Sequence, residues 1–301
     1  MKPLLALLLC TCLVAKALAA APDPERDITA ALAELRSLQP MQPRQSYTLP
    51  ASGRRLTGTN DDFLRRRTAD EIRQSGLSCG CGDYALVFLQ AMTARGFETL
   101  LVDSAQLSLQ SLASTFSGHA VVAVRPAGAK DDSWWLVDST ARRVLSRDWS
   151  SRSPSFTASG HAYWIGYCGP AADYPVRTPV ELRKFYRETL ARVPLPVLNE
   201  TFCRFVFTID DSLRDERGRL LNPNVDRLQP QQDHLLAQYR IRPTREVPVR
   251  LVRGKADASG TLEKVEGQWV ARVGLRSACS PSFLAYMEHI VRREQEATRA
   301  R

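Results

Sequence analysis

The stretch SCGCGDYALVFLQAMTA, at residues 78–94, decides how the fold is read. Glycines surround two cysteines at its start, and from Cys81 onward the apolar residues recur at the spacing of a buried helix that Gly96 ends. A glycine-rich loop therefore leads into a helix that begins at Cys81. The free N–H groups and partial positive charge at a helix start stabilise a thiolate, so Cys81 is a candidate nucleophile.

Strand patterns follow this helix along the chain. They lie at residues 97–102 (FETLLV), 119–124 (HAVVAV), 134–137 (WWLV) and 160–169 (GHAYWIGYCG). Short strands with short connections favour antiparallel pairing. The sequence therefore predicts an α+β fold in which a helix packs on an antiparallel sheet.

Further elements are predicted on both sides of this region. Helices are expected over 27–38, from the capping-box pattern at 68–71 to about residue 74, over 179–193 and from 282 to about 294. Four more strands are expected over 202–209, 247–252, 261–265 and 269–275, with Glu266-Gly267 as a hairpin turn. This second set of strands predicts a smaller β-rich, sandwich-like domain.

The first 19 residues have the three-part layout of a secretory signal peptide. Lys2 precedes an apolar run, and small residues end the segment at Ala17-Leu18-Ala19. We expect cleavage after Ala19 and export to the periplasm or the medium. An uncleaved anchor and a lipidated Cys10 or Cys12 are the alternatives. No other stretch is long and apolar enough to span a bilayer, so no integral membrane segment is expected after cleavage.

The chain is basic, with a formal net charge of +9 over 301 residues. The leader carries Lys2 and Lys16 and no acidic residue, which leaves +7 for the mature chain. The excess is mostly arginine spread along the sequence, with one tight cluster at Arg65-Arg66-Arg67. Because basic residues are not interleaved with aromatic residues, a nucleic acid partner is not expected.

Five of the seven cysteines remain once the leader is removed, and they are Cys79, Cys81, Cys168, Cys203 and Cys279. An oxidising compartment tends to pair cysteines, and an odd number leaves one thiol over. Bridges Cys79–Cys168 and Cys203–Cys279 would leave Cys81 free. The alternatives for Cys79 are that it is itself the nucleophile, or that it forms a redox pair with Cys81.

A catalytic thiol needs a base and a polar group that orients the base. His119 opens one predicted strand and Asp138 ends the next, which places them side by side in a hairpin. His161, in the similar segment SGHAY, is the rival base or a residue of the cleft. Asp138 has the alternative role of capping a turn. Apart from Cys79-Gly80-Cys81, no His or Cys pair has metal-ligand spacing, so neither metal nor cofactor is expected.

Residues 65–145 resemble the transglutaminase-like, papain-related cysteine enzymes. The resemblance rests on Cys81 to Ala85 (CGDYA), on His119-Ala120 at the start of an apolar strand, and on WWLVDST at 134–140. The intervals between Cys, His and Asp are also similar. Val121 stands where the family most often has Trp, and Ser139 where Pro is common. These two departures leave the subfamily and the substrate open.

The resemblance implies an exported bacterial enzyme with a papain-like or transglutaminase-like core and a Cys81-His119-Asp138 triad. It implies acyl transfer at a peptide or side-chain amide, with hydrolysis the expected outcome and a protein, peptide or peptidoglycan peptide as substrate. Gln74 lies in the neighbourhood of the oxyanion donor of papain-like enzymes. The alternatives are a cross-linking transglutaminase, a thiol-disulfide oxidoreductase using Cys79 and Cys81, and a non-catalytic binding protein.

The domain organisation follows from these assignments. We expect a signal peptide at 1–19, an N-terminal helix and loop at 20–60, the transglutaminase-like domain at 61–198, the β-rich domain at 199–281, and a C-terminal helix and tail at 282–301.

Overall fold

The computed structural model describes residues 23–42, 46–48, 53, 55–56, 67–114, 117–255 and 260–299. The predicted signal peptide, with Cys10 and Cys12, lies outside these residues. The helices are α1 Pro24–Glu34, α2 Ala69–Ser75, α3 Cys81–Ala94, α4 Leu109–Ser114, α5 Pro179–Ala191, α6 Leu195–Thr201, α7 Leu228–Gln238 and α8 Pro281–Arg299.

The strands of the described residues follow the same chain order. They are β1 Gln39–Pro40, β2 Tyr47–Thr48, β3 Arg55–Leu56, β4 Leu77–Ser78, β5 Phe97–Gln106, β6 Gly118–Pro126, β7 Trp134–Asp138, β8 Arg143–Trp149, β9 Ser155–Ala158, β10 His161–Gly169, β11 Arg204–Ile209, β12 Glu246–Arg253, β13 Thr261–Val265 and β14 Gln268–Val273.

Six strands form one antiparallel sheet in the order β8-β7-β6-β5-β10-β9. Helix α3 packs on one face, where Phe88 and Met92 are buried in the same cluster as Val122 and Val124 of β6. Alternate residues of β6, such as Val121, belong to a second cluster, as the two-residue period of a strand requires. The predicted α+β arrangement of a helix on an antiparallel sheet is confirmed.

A buried ion pair fixes the loop that enters α3. The guanidinium of Arg67 donates a hydrogen bond to the carboxylate of Asp83, and both side chains are almost fully buried. Arg67 Nη1 also donates to the carbonyl of Leu77 at 2.9 Å and to Ser75 Oγ at 3.1 Å. Asp83 Oδ2 accepts the backbone N–H of Cys79 at 2.9 Å. The pair therefore ties α2, the glycine-rich loop and the first turn of α3 together.

Helix boundaries follow their capping residues. Asp23 accepts the N–H groups of Glu25 and Arg26, so α1 begins three residues before the predicted start at Asp27. Helix α2 has the predicted capping box of Thr68 and Glu71, and it ends at Gly76 with the positive φ of a helix C-terminus.

The C-terminal strands form a four-stranded mixed sheet in the order β11-β12-β14-β13. The β13–β14 hairpin turns at Glu266 and Gly267, both with positive φ, as predicted. The pairs β11–β12 and β12–β14 are parallel, which requires crossover connections, and α7 supplies the first. In the described part of 199–281 the strands therefore make one sheet with helices, and the two facing sheets of a sandwich are not formed.

Polar contacts join the C-terminal sheet to its crossover helix. The amide of Gln232, on α7, accepts the N–H of Phe205 and donates to its carbonyl, each at 2.9 Å. One apolar cluster runs from Ile28 through α3 to Val291 of α8, so it includes residues from both predicted domains. The division at residue 198 stays a prediction.

Among the described residues, no helix is both long enough and apolar enough to cross a bilayer.

Replacing Asp83 with Leu is expected to lower the free energy of unfolding by about 3–5 kcal/mol, because a buried guanidinium loses its counter-ion. Urea denaturation measures the loss. The double variant Arg67→Met, Asp83→Leu should recover most of it, since no buried charge then remains. A half-exposed pair serves as control: Glu263→Ala, which removes the partner of Arg272, should cost about 1 kcal/mol or less. Equal losses for Asp83→Leu and Glu263→Ala would contradict the role assigned to the buried pair.

Candidate active site

Cys81 is the first residue of α3 and is partly buried. Gly80 precedes it with φ of 148°, a conformation that residues with a Cβ rarely adopt, although a Cβ there would meet nothing within 4 Å. Glycine is therefore required by the backbone and not by lack of space. The first N–H groups of a helix lack a carbonyl partner four residues back. In α3 the N–H of Asp83 bonds to the Gly80 carbonyl at 3.1 Å, which leaves the N–H groups of Cys81 and Gly82 without a bond inside the helix.

His119 is the second residue of β6, and its imidazole lies beside both Asp138 and Cys81. Nε2 lies 3.0 Å from Asp138 Oδ2, which leaves Nδ1 as the ring nitrogen available to the thiol. Burial by itself lowers the pKa of His119, but the interactions with Asp138 and Cys81 outweigh it and raise the pKa to about 10. This environment therefore stabilises the imidazolium form of His119.

The strand that carries His119 is held from two sides. Ser104 Oγ, on β5, donates to the carbonyl of His119 at 2.7 Å. Gly118 lies so close to the ring of Tyr186, on α5, that a Cβ would come within 2.2 Å of its Cζ. The glycine therefore allows α5 to contact the strand directly beside the histidine.

Asp138 ends β7, and its side chain is 2% exposed. Oδ1 accepts the N–H of Ala141 at 2.9 Å while Oδ2 faces His119. Burial tends to raise the pKa of Asp138, but the hydrogen bond and charge of His119, the Ala141 N–H and the charge of Arg143 lower it. One oxygen of the carboxylate therefore caps the turn while the other faces the histidine.

Tyr163 of β10 forms the wall behind the imidazole. Its ring centroid lies 5.4 Å from that of His119, and the ring stacks on Phe156 at 5.2 Å. Burial, followed by the negative charges of Cys81 and Asp138, raises the pKa of Tyr163 well above its ordinary value. The phenol therefore remains neutral beside the candidate site.

Cys79, two residues before Cys81, is bonded to a carboxylate. Its Sγ donates a hydrogen bond to Asp83 Oδ2 at 3.1 Å. Burial and the charge of Asp83 raise the pKa of Cys79 to about 12, although Arg67 opposes the shift. Cys79 is therefore held as a thiol, which favours Cys81 as the nucleophile of the two.

The predicted bridges Cys79–Cys168 and Cys203–Cys279 are not formed in the structure, where all five described cysteines are free thiols. Cys168 packs into the second apolar cluster, whereas Cys79 packs with Met41 and Leu77 in a separate one. Cys203 is buried and Cys279 is partly buried.

His161 lies at the start of β10 and is directed toward α8. Its ring stacks on that of His289 with centroids 4.3 Å apart, and Nδ1 accepts from Gln106 Nε2 at 2.8 Å. Burial and the positive charges of His289, Arg292 and His119 lower the pKa of His161 to about 4. The 3.0 Å contact with Asp138 and the interaction with Cys81 belong to His119, so His119 is the better candidate base and His161 a neighbour of the site.

Gln74 is exposed on α2 and makes no side-chain hydrogen bond within the described residues. Its suggested part as an oxyanion donor stays a prediction. Among the residues that the structure describes, no group of three or more His, Cys, Asp or Glu side chains is arranged to hold a metal ion.

The sequence did not predict two pairs of interacting side chains at or near this site. Arg67 and Asp83 pair across 16 positions, and an acidic residue in the first turn of a helix is too common to indicate a buried partner. His289 meets His161 across 128 positions, and no local pattern joins them. Only packing brings these pairs together.

Comparisons with known proteins identify no family. No family model and no curated protein matches the sequence. Among solved structures, Legionella pneumophila LapG is similar at 17% sequence identity with a TM-score of 0.30, over 55% of this chain and 79% of that chain. Similarity at this level carries no argument about function, so the site is interpreted from its own geometry.

The geometry predicts how His119 titrates. We expect its imidazole resonances to follow a pKa near 10 in the wild-type protein, and a clearly lower one in Cys81→Ala, because one hydrogen bond and one negative charge are lost. Since this pKa lies above the ordinary value of 6.5, the stability it adds is present below pH 6.5 and is lost as the pH rises through about 10. NMR titration measures the shift, with Cys79→Ala as the control that leaves it unchanged. Ordinary titration near pH 6.5 in all three proteins would contradict the arrangement.

Proposed function

We propose that the chain is a cysteine enzyme of the transglutaminase-like, papain-related kind that hydrolyses a peptide or side-chain amide bond. One observation carries the proposal: His119 Nε2 lies 3.0 Å from Asp138 Oδ2, and the imidazole is near enough to Cys81, at a helix start, for that residue to raise its pKa. In this arrangement Cys81 is the nucleophile, His119 the base and acid, and Asp138 the positioning carboxylate.

The first half of the reaction transfers the acyl group to sulfur. His119 holds the proton of Cys81, and the thiolate attacks the amide carbonyl carbon to form a C–S bond. The N–H groups at the start of α3 stabilise the oxyanion that develops. His119 then protonates the nitrogen of the leaving amine as the C–N bond breaks, which leaves a thioester on Cys81.

The second half releases the acid. Water gives a proton to His119 and attacks the thioester carbonyl, and the C–S bond breaks to yield a carboxylic acid and regenerate Cys81. Asp138 stabilises the imidazolium in both halves through its 3.0 Å contact. An amine in place of water would yield a cross-link, so the acceptor separates hydrolase from transglutaminase.

The redox alternative requires two reactive thiols. Cys79 is held as a neutral thiol by Asp83, with its pKa raised to about 12, so it is poorly suited to attack a disulfide. This environment favours acyl transfer over thiol-disulfide exchange. Export, with a protein, peptide or peptidoglycan peptide as substrate, is part of the proposal and rests on the sequence alone.

Labelling with a neutral thiol-directed electrophile tests the nucleophile. At pH 6 we expect Cys81 to be labelled at least about tenfold faster than an ordinary thiol, because the imidazolium at His119 maintains a thiolate. His119→Ala should abolish the advantage, while Cys79→Ala, the matched control, should retain it. Peptide mapping by mass spectrometry identifies the labelled residue. Preferential labelling of Cys79 would contradict the assignment of Cys81 as the nucleophile.

Activity on a mixed peptide library tests the reaction. Cys81→Ala should abolish cleavage, and Asp138→Asn should lower kcat by about 10²–10⁴-fold, because the imidazolium loses its counter-charge. Mass spectrometry distinguishes released acids from products of an added primary amine. Amine incorporation in place of hydrolysis would identify the cross-linking alternative, and disulfide exchange that depends on both Cys79 and Cys81 would identify the oxidoreductase.

A further inference from the structure

A groove of about 570 Å³ lies between α1 and the turn that follows Asp138. Its apolar part is formed by Ile28 and Leu32 of α1 and by Val144 of β8. Its charged part is formed by three arginines, which are Arg36, Arg142 and Arg143. The lining contains no acidic residue.

None of the three arginines forms an ion pair within the described residues, whereas nearby arginines do, although the charge of Arg143 acts on Asp138 from beyond ion-pair distance. The carboxylates of α1 are engaged elsewhere: Asp27 with Arg26, Glu34 with Arg95, and Glu25 with Arg147. Within the described residues Arg36, Arg142 and Arg143 form no ion pair, and Arg143 donates a hydrogen bond only to Ser159. Clustered positive charges without partners repel one another, so the groove is complementary to an anion.

The groove adjoins the turn that follows Asp138, although Cys81, His119 and Asp138 are not among its lining residues. Ala141, one of its lining residues, donates its N–H to Asp138 Oδ1 at 2.9 Å. The next residue, Arg142, has φ of 54°, a left-handed conformation that is unfavourable for arginine. Arg36 lies just after α1, where the helix dipole favours a cation. The helix dipole does not account for the positive charges of Arg142 and Arg143, which lie in and after a turn between strands.

We propose that this groove is a subsite for acidic segments of the polypeptide substrate. The inference rests on the proposed function and adds a substrate class to it. The arginines pair with Asp or Glu side chains of the bound chain, and the more exposed Ala33 and Val144 contact its apolar parts. Guanidinium groups suit this role because they bind carboxylates with paired hydrogen bonds.

Binding to Cys81→Ala tests the subsite without requiring turnover. A fluorescein-labelled glutamate-rich peptide and its glutamine and lysine counterparts are titrated at low salt and followed by anisotropy. We expect the glutamate peptide to bind at least about tenfold more tightly than the glutamine peptide. The difference should shrink as salt screens the charges.

Three variants assign the effect to the groove. Arg36→Glu and Arg142→Glu should each remove most of the preference, and Arg142→Asn removes the charge with a residue that adopts positive φ readily. Arg276→Glu, an exposed arginine outside the groove, changes the net charge equally and should leave the preference intact. In proteins that retain Cys81, the same changes should alter kcat/KM for acidic peptides and leave electrophile labelling unaltered.

The outcomes are separable from those of the proposed function. If the glutamate peptide binds preferentially but no peptide is hydrolysed, the subsite is supported and the proposed hydrolase activity is contradicted. Equal binding of the glutamate and glutamine peptides, or loss of preference in Arg276→Glu, would overturn the subsite. Displacement of the peptide by inorganic phosphate at equal concentration, or binding of anionic phosphatidylglycerol vesicles alone, would also overturn it.

Discussion

The buried pair of Arg67 and Asp83 is the constraint on which the candidate site depends. A charge without a partner in such a position is costly, so the two side chains must meet whenever the chain is folded. Because Arg67 also binds the carbonyl of Leu77, and Asp83 the N–H of Cys79, the pair determines the path of the loop. The same contacts that place Cys81 at the start of α3 also convert Cys79 into a hydrogen-bonded, unreactive thiol.

The antiparallel sheet supplies the other half of the site. Pairing of β6 with β7 brings His119 within 3.0 Å of Asp138, although the two residues are far apart along the chain. Ser104 and Tyr186 then hold the strand beside the histidine. Each group of the site is thus positioned by a different element, and a shift of one register step would turn His119 to the opposite face.

In our proposals, the turn after Asp138 links the catalytic residues to the groove that binds acidic segments of the substrate. Ala141 binds Asp138, and the adjacent residues Arg142 and Arg143 line the groove. A segment seated there would contact a turn that is bonded directly to the positioning carboxylate. Three of the chain's many arginines, Arg36, Arg142 and Arg143, therefore lie together beside this turn.

The sequence by itself determined the helix that starts at Cys81, the strands that carry His119 and Asp138, and the β13–β14 hairpin at Glu266-Gly267, because periodicity, glycine positions and turn residues are local signals. Tertiary structure alone decided the partner of Asp83, the stacking of His289 on His161 and the mixed C-terminal sheet. These depend on which surfaces pack together across long separations. It also decided the roles of the cysteines: counting thiols suggested bridges, whereas burial and hydrogen bonding distinguish the candidate nucleophile from its neighbour.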